Sequence, residues 1–464
     1  MLLRFYVENF LSFKGKNVFS MVAGKFTRHN DHVATVDGKK ILKGGFIFGA
    51  NAGGKTNFVR AIDFARKIVV EGLASVSCEK KHFRIEDVYK DKPGVFQFDI
   101  YSCGSFYSYG FAISYNDVSI KEEWLYKINN GEDKCIFLRQ NEGKVALFTS
   151  DLNFNNSEDK DRFKVYSEAI KDNKMKQTLF LTDIILHSPE NNIQYKAFRD
   201  VKKWFDNLTV IFPGSKFQGY PELLKDSNVK KIFENLLKYF DTGILNIGFE
   251  EEDFDKVFRD MPHNVIESFK ADIINALLKN NDKRDSILLM QNGESLIQIK
   301  YFEGKLLAKI IVSNHGNTKD LFRLIDESDG TKRLFDLIPL FLRIRQNGVI
   351  IVDELDRSLH TMLTKEFINY FYKQDYESKA QLIATTHDSN ILDLDFLRQD
   401  EIWFVDREHD HGSKMYSLDR FKARFDKKIE KDYLLGRYGA IPIFYQEGYE
   451  TNYEDDSIGV HHEK

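Results

Sequence analysis

Gly49-Ala50-Asn51-Ala52-Gly53-Gly54-Lys55-Thr56-Asn57 is the stretch on which the fold turns. It fits G-x-x-x-x-G-K-[ST], with Gly49, Gly54, Lys55 and Thr56 in the fixed places, the pattern of a loop that wraps nucleotide phosphates. Glycines let successive backbone N–H groups turn inward onto anionic oxygens, and the helix that follows adds its positive N-terminal end. Lys55 would reach the β- and γ-phosphates, and the Thr56 hydroxyl would ligate Mg²⁺. Gly49, Asn51, Gly53, Gly54, Lys55, Thr56 and Asn57 are therefore the candidate cofactor-binding residues of this loop. The context fits: Gly44 to Phe48 reads as a short buried strand, and the apolar spacing from Asn57 to Val70 predicts a helix.

Outward from the loop, the 464 residues exceed one compact core of ordinary size, so two lobes, or one domain with a large insertion, are expected. Hydrophobic residues at 42% and charged residues at 30% give the balance of a globular protein. No apolar run is long enough to span a bilayer, and MLLRFYVENFLSF carries charge too early for a signal peptide, so a cytoplasmic protein with no membrane partner is expected. Cys78, Cys103 and Cys135 fit no metal spacing and suit a reducing compartment. A net charge of −4 gives no global electrostatic case for nucleic acid.

Taken in order, residues 2–22 read as an edge strand, a turn and a second strand ending near Phe19-Ser20-Met21. After the loop helix, strand-like runs at 95–101, 106–114, 122–128, 135–140 and 144–148 are separated by Ser102-Cys103-Gly104, Asn129-Asn130-Gly131 and Asn141-Glu142-Gly143. This predicts an antiparallel meander with Phe96, Phe98, Ile100 and Phe111 or Ile113 facing inward. From 151 to 286 the pattern becomes charged helices, with Ile232, Phe233, Leu236, Leu237 and Phe240, and then Val265, Phe269, Ile273 and Leu277, at helical spacing. Lysine clusters here have acidic neighbours and read as solvated faces. Strands resume at Ile287–Met290, Leu296–Phe302 and Leu306–Val312. Arg420, Lys422, Arg424, Lys427, Lys428 and Lys431, over Phe421, Phe425 and Ile429, read as a basic amphipathic helix, and 446–464 as a disordered tail.

About 300 residues after the loop, the apolar run Val349 to Val352 ends in Asp353-Glu354. A fully buried parallel strand presents its C-terminal edge to ligands. Asp353 would hold Mg²⁺ with Thr56, and Glu354 would act as the general base on the attacking water. Ser328-Asp329-Gly330-Thr331 precedes a predicted helix from Lys332 to Leu342, a capped N-terminus able to hold an anion. His387 follows another buried strand, Leu382 to Thr386.

VENFLSF, GANAGGKTN, DESDGTKRLFDLIPLF at 326–341, VIIVDELDRSLH at 349–360 and LIATTHDSNILD at 382–393 resemble the ATP-binding-cassette (ABC) heads of the SMC, Rad50, RecF and OLD class. With LLGRYGAIPIF at 434–444, they resemble more narrowly the ATPases of bacterial anti-phage and abortive-infection operons such as RloA and AbiL. The resemblance implies an α/β fold: a P-loop NTPase head of the ABC type with an antiparallel β lobe and an inserted helical domain. It divides the chain into 1–150 and 287–445 as the two parts of the head, 151–286 as the insertion and 446–464 as the tail. It implies that Ser328 and Gly330 touch the γ-phosphate held by a second copy, that His387 is a catalytic switch beside Glu354, and that Asp356 crosses to the partner head. Asp329 departs from the family signature, and neither Gln97 nor Gln140 stands out as the lobe-coupling glutamine. The implied function is an ATPase of a prokaryotic defence module that dimerises, or assembles further, through an ATP sandwich. A separately encoded nuclease or toxin would be its effector, since only 77 residues follow His387, and DNA or a phage product its trigger. The alternative is a RecF-like repair ATPase that clamps DNA.

Overall fold

The computed structural model describes residues 1–129, 132–142, 145–152, 154, 157–170, 175–188, 192–215, 226–258, 261–279, 287–292, 295–302, 304–374, 378–421 and 428–442. The tail, most of the basic C-terminal segment and the Asn-Gly turns at 130–131 and 293 lie outside them.

The chain begins with strands β1 (Leu2–Glu8) and β2 (Asn17–Ser20), a small hairpin of β3 (Val33–Val36) and β4 (Lys39–Leu42), the loop strand β5 (Gly44–Phe48) and helix α1 (Lys55–Glu71). The meander follows as β6 (Gly94–Ser102), β7 (Ser105–Ser114), β8 (Ser119–Ile128), β9 (Lys134–Glu142) and β10 (Val145–Thr149). Together with β1 and β2 it forms one seven-stranded antiparallel sheet in the order β10-β9-β8-β7-β6-β1-β2. The expected edge strand β1 is thus interior, paired with β6 as well as β2. Alternation within β1 alone could not show that a strand 90 residues later would cover its open edge.

Helices α2 (Ser157–Ala169), α3 (Phe180–His187) and α4 (Lys196–Asp206) come next, then β11 (Leu208–Ile211), α5 (Ser227–Tyr239), β12 (Asn246–Asp253), α6 (Phe254–Val257) and α7 (His263–Lys279). The stretch 151–286 is therefore not helical throughout. β11 is a strand of the nucleotide sheet and β12 joins a third sheet. A four-residue apolar run and an acid-rich strand paired at one side carry too weak a period to stand out from helices. The third sheet, β12-β15-β14-β13, uses β13 (Ile287–Asn292), β14 (Ser295–Phe302) and β15 (Lys305–Asn314), with β16 (Phe322–Arg323) also on β15.

The last part contains α8 (Asp329–Leu337), α9 (Leu340–Ile344), β17 (Val349–Val352), α10 (Thr361–Lys373), β18 (Gln381–Thr385), β19 (Ile402–Arg407), β20 (Ser413–Ser417) and α11 (Ile429–Leu434). The single helix expected over Lys332–Leu342 is broken between α8 and α9 at Pro339, which has no N–H to continue the ladder. β11-β17-β18-β5-β19-β20 form the six-stranded nucleotide sheet, parallel but for β20.

This sheet separates two cores. Ile47, Val349, Ile351, Ile383, Trp403 and Val405 face one, shared with α1 and the meander. Phe46, Phe48, Ile350, Val352, Leu382, Ala384, Ile402 and Phe404 face the other, shared with α5, α8, α9 and α10. Period-two alternation inside continuous apolar runs is what allows both faces to be buried. α1 is clamped between sheets: Phe58 packs at 5.8 Å from Phe5 and 5.1 Å from Phe19, a buried ring contributing about 1.5–3 kcal/mol. Gln381 joins the layers by donating to Leu2 O and Leu42 O at 3.0 and 2.8 Å. Phe96, Phe98, Ile100, Phe111 and Ile113 are all buried. No helix among the described residues is long and apolar enough to cross a membrane.

Candidate functional site

The glycine-rich loop joins β5 to α1 at the C-terminal edge of the nucleotide sheet. Its glycines are required by close approach: a Cβ at Gly49 or Gly53 would lie 2.3 or 2.8 Å from the Val405 carbonyl oxygen of β19. Gly54 has φ +120° and precedes α1 without any side-chain cap or acidic residue in the first turn. The end of α1 is thus left open to an anion. Asn51 is exposed, and Ala52 takes a left-handed φ of 62°.

Lys55 is buried and donates to Gly49 O at 2.6 Å and Ala50 O at 3.1 Å, with His387 Nδ1 at 3.4 Å. Burial pulls the Lys55 ammonium down to about 8, against the opposing pull of Asp353, Asp356 and Glu354. Asn57 turns its amide outward, donating to Ser12 Oγ at 2.8 Å, while Ser413 Oγ donates to Gly53 O at 2.7 Å and accepts from the Ser12 hydroxyl at 2.8 Å. The VENFLSF segment therefore braces the loop from outside.

Opposite the loop, β17 delivers Asp353 and Glu354. β11 is what holds their turn: the Asp353 amide donates to Ile211 O at 2.8 Å, continuing the parallel pairing of β11 with β17. Asp353 is fully buried; its Oδ1 accepts from Thr385 at 2.6 Å and lies 3.4 Å from Thr56 Oγ1, while Oδ2 has no partner. A buried carboxylate oxygen without a partner is costly. A divalent cation held with Thr56 would supply the missing interaction, so the donor set fits Mg²⁺. Glu354 sits at φ 51°, a left-handed conformation uncommon for such a side chain. Both carboxylates line a cleft of about 770 Å³ that runs along α1 past Arg60, Asp63 and Lys67.

His387 follows β18. Its amide donates to Asp356 at 3.1 Å, and burial together with Lys55 lowers its pKa. Ser328 caps α8 by accepting from the Thr331 amide at 3.2 Å, and Asp329 stands in the first turn with an exposed carboxylate. A Cβ at Gly330 would lie 3.1 Å from Ser358 O, in the turn after Glu354. Among the described residues no hydrogen bond joins Ser328 or Gly330 to the loop 49–57 of the same chain. The structure brings Lys55, Thr56, Asp353, Glu354 and His387 together and packs the α8 start against the turn after Glu354.

Two residues escaped sequence reasoning. Thr385 donates to Asp353 and accepts from the Glu354 amide at 2.8 Å; its signal was a hydroxyl ending an apolar strand. Arg333, buried in α8, donates to the carbonyls of Asp353 and Glu354 at 3.3 and 2.8 Å. Burial lowers its pKa, and no period in the sequence marks it. Gln97 bonds within the meander to Asp99 and Ser108.

A family model described as AAA domain, putative AbiEii toxin, Type IV TA system matches residues 46–393, well over half of the chain. The chain belongs to this AAA-domain family. The match spans both the glycine-rich loop and His387, so the two halves of the site fall inside one family unit, a P-loop ATPase domain of the AAA type. No curated protein matches this AAA-domain chain. Among solved structures it is similar to the SMC head domain from Thermotoga maritima, at 11% identity and TM-score 0.36, over 90% of this chain and 98% of that one. It is also similar to an SmcHead bound to the C-winged helix domain of ScpA, at 13% identity and TM-score 0.38, over 91% and 99%. A third is the Smc head domain with an extended coiled coil from Pyrococcus furiosus, bound to the C-terminal domain of ScpA, at 15% identity and TM-score 0.32, over 91% and 97%. The family assignment rests on the family model and on the site's geometry.

Proposed function

We propose that the chain binds and hydrolyses ATP, pairs with a second copy through ATP, and uses that cycle in the cytoplasm to control a separately encoded nuclease or toxin in anti-phage defence. The observation that carries the catalytic part is the buried, unpartnered Asp353 Oδ2 beside Thr56, with Glu354 and His387 on the same rim.

In this reading Gly49, Asn51, Gly53, Gly54 and Asn57 shape the phosphate cradle, Asn57 through its backbone because its amide is committed to Ser12. Lys55 leaves its carbonyl partners for the β- and γ-phosphates. Mg²⁺ between Thr56 and Asp353 would neutralise charge on those phosphates. Glu354 takes a proton from the water that attacks the γ-phosphorus as the bond to the β–γ bridging oxygen breaks. His387, whose Nδ1 faces the Lys55 ammonium, presents Nε2–H to the γ-phosphate. Ser328 and Gly330 act on the ATP of the other copy; among the described residues neither is hydrogen-bonded to the loop of its own chain. The defence role is supported by the family's description as a putative AbiEii toxin of a type IV toxin–antitoxin system.

The test is Glu354→Gln with ATP in size-exclusion chromatography. An ATP-dependent dimer that dissociates when ATP is removed supports the reading; a monomer at saturating ATP removes the sandwich. DNA binding titrated against salt, with and without ATP, separates effector control from a DNA clamp, because a clamp would show a steep ATP-dependent salt slope.

A further inference from the structure

His29-Asn30-Asp31-His32 lies in the connection between β2 and β3, at the end of the nucleotide sheet away from Lys55. One ring nitrogen of each histidine and one carboxylate oxygen of Asp31 all lie within 4.8 Å of one another. His29 takes a left-handed backbone, φ 51°, which brings its ring over that of His32 at 4.9 Å between centroids. The hydrogen bonds then sort the ring nitrogens. His29 Nε2 is 3.1 Å from Leu394 O, an acceptor only, so Nε2 carries the proton and Nδ1 the lone pair. His32 Nδ1 is 3.0 Å from Glu401 Oε2, which leaves the His32 Nε2 lone pair facing Asp31 Oδ2 at 3.9 Å.

From this arrangement we infer that His29, Asp31 and His32 hold a first-row divalent metal ion, Zn²⁺ before the others, with a fourth position open to water. Imidazole and carboxylate donors suit zinc, and three protein ligands with one open place form a common tetrahedral set. Tetrahedral bonds of the usual length put ligand atoms about 3.3 Å apart, so the three ligand atoms, within 4.8 Å of one another and 3.9 Å apart for the Asp31–His32 pair, close on an ion by rotation of the Asp31 and His29 side chains. Each histidine already has the partner on its other nitrogen that a metal-bound imidazole needs, a carboxylate for His32 and a backbone carbonyl for His29. Those partners are themselves fixed. Glu401 also accepts from Tyr372 OH at 2.9 Å and from the Arg398 amide at 2.9 Å, and the Tyr372 ring stacks on His32.

The ion acts as a staple. The His32 carbonyl accepts from the Lys43 amide at 2.8 Å, just before β5, and the Gly24 amide and Arg28 carbonyl are bonded to Asp400 and Arg398 at 2.7 Å each. A metal at 29–32 therefore ties the polar connection to the foot of the strand that carries the nucleotide loop.

The test uses the full chain carrying Asp353→Asn, so that the proposed Mg²⁺ position does not take up the probe. Metal-stripped protein is titrated with Co²⁺ alone, then with Zn²⁺. The expected result is a set of tetrahedral cobalt bands that saturate at one ion per chain and are displaced by Zn²⁺. His29→Asn, which tolerates the left-handed backbone, and Asp31→Asn should weaken binding, and the two together should abolish the bands. Zn²⁺ should raise the melting temperature of the parent and leave that of the double variant unchanged. Because both substitutions are outside the core, equal melting temperatures of parent and double variant in chelator show that the fold is kept. A parent with no tetrahedral bands, or a double variant that retains them, overturns the assignment.

Discussion

Two helix starts in this molecule resemble each other in sequence and differ in what they leave open. α1 begins at Gly54-Lys55-Thr56 with no side-chain cap and no acidic residue in its first turn. α8 begins at Ser328-Asp329-Gly330-Thr331, where Ser328 already satisfies the Thr331 amide and Asp329 adds a negative charge. Both ends carry a helix dipole's positive charge. Only the first is surrounded by a lysine, a buried carboxylate and a histidine; the second is packed against the turn that follows Glu354 and is tied to it through Arg333. A glycine-containing helix start is therefore half a site, and its neighbours determine whether it serves its own chain. In the proposed function α1 would hold phosphate in place, and α8 would respond to phosphate brought by a second copy.

The largest expected effect comes from keeping ATP at both starts. Glu354→Gln should leave ATP binding intact and slow hydrolysis by about 10²–10⁴; normal phosphate release in that variant removes Glu354 from the general-base role. Next, Lys55→Ala should weaken ATP binding by about two to three orders of magnitude, the range for truncating one partner of a buried charged contact. Unchanged affinity by calorimetry would mean that α1 is not the phosphate end.

The same lysine gives a pH signature. Its pKa before ATP binds is about 8, below the ordinary lysine value because of burial. Below pH 8 the ammonium is present for ATP; above it, binding must first take up a proton. ATP affinity should therefore fall from pH 8 to pH 9 by up to about tenfold, and the dependence should vanish in Lys55→Ala. For the stability of the ATP-free protein the sign is opposite: the cost of burying the charge is full below pH 8 and is relieved as pH rises toward the unfolded value.

Smaller effects belong to α8. Asp329→Asn removes a charge that repels phosphate, and should tighten ATP-dependent pairing a few-fold, since a charge at a helix end is worth about 0.3–1 kcal/mol. The variant should bind ATP as a monomer just as the parent does. Ser328→Ala should cost about 1 kcal/mol of stability through the lost cap, read as a lower melting temperature, with monomeric ATP binding unchanged.

The legible part of the site was the part carried by local residue type. The glycines and Lys55 marked the loop, the apolar run Val349 to Val352 before Asp353-Glu354 marked the buried strand, and Ser328 marked a cap. β11 was not legible, because Leu208 to Ile211 is too short to announce a strand and sits among helices, yet it holds the Asp353 amide. Arg333 was not legible either. A basic residue on a helix reads as solvated until tertiary packing buries it against two carbonyls.

By itself the sequence determined that a phosphate loop, a carboxylate pair on a buried strand and a histidine after another strand share one chain, since each depends on residue types within a dozen positions. The tertiary structure decided what those pieces become. It gave β1 a second neighbour, inserted β11 beside the carboxylate strand, left Asp353 Oδ2 without a partner and turned Asn57 away to Ser12. Those outcomes depend on pairings across tens to hundreds of residues, and hydrophobic period and turn chemistry carry no record of which distant strand or side chain completes a contact.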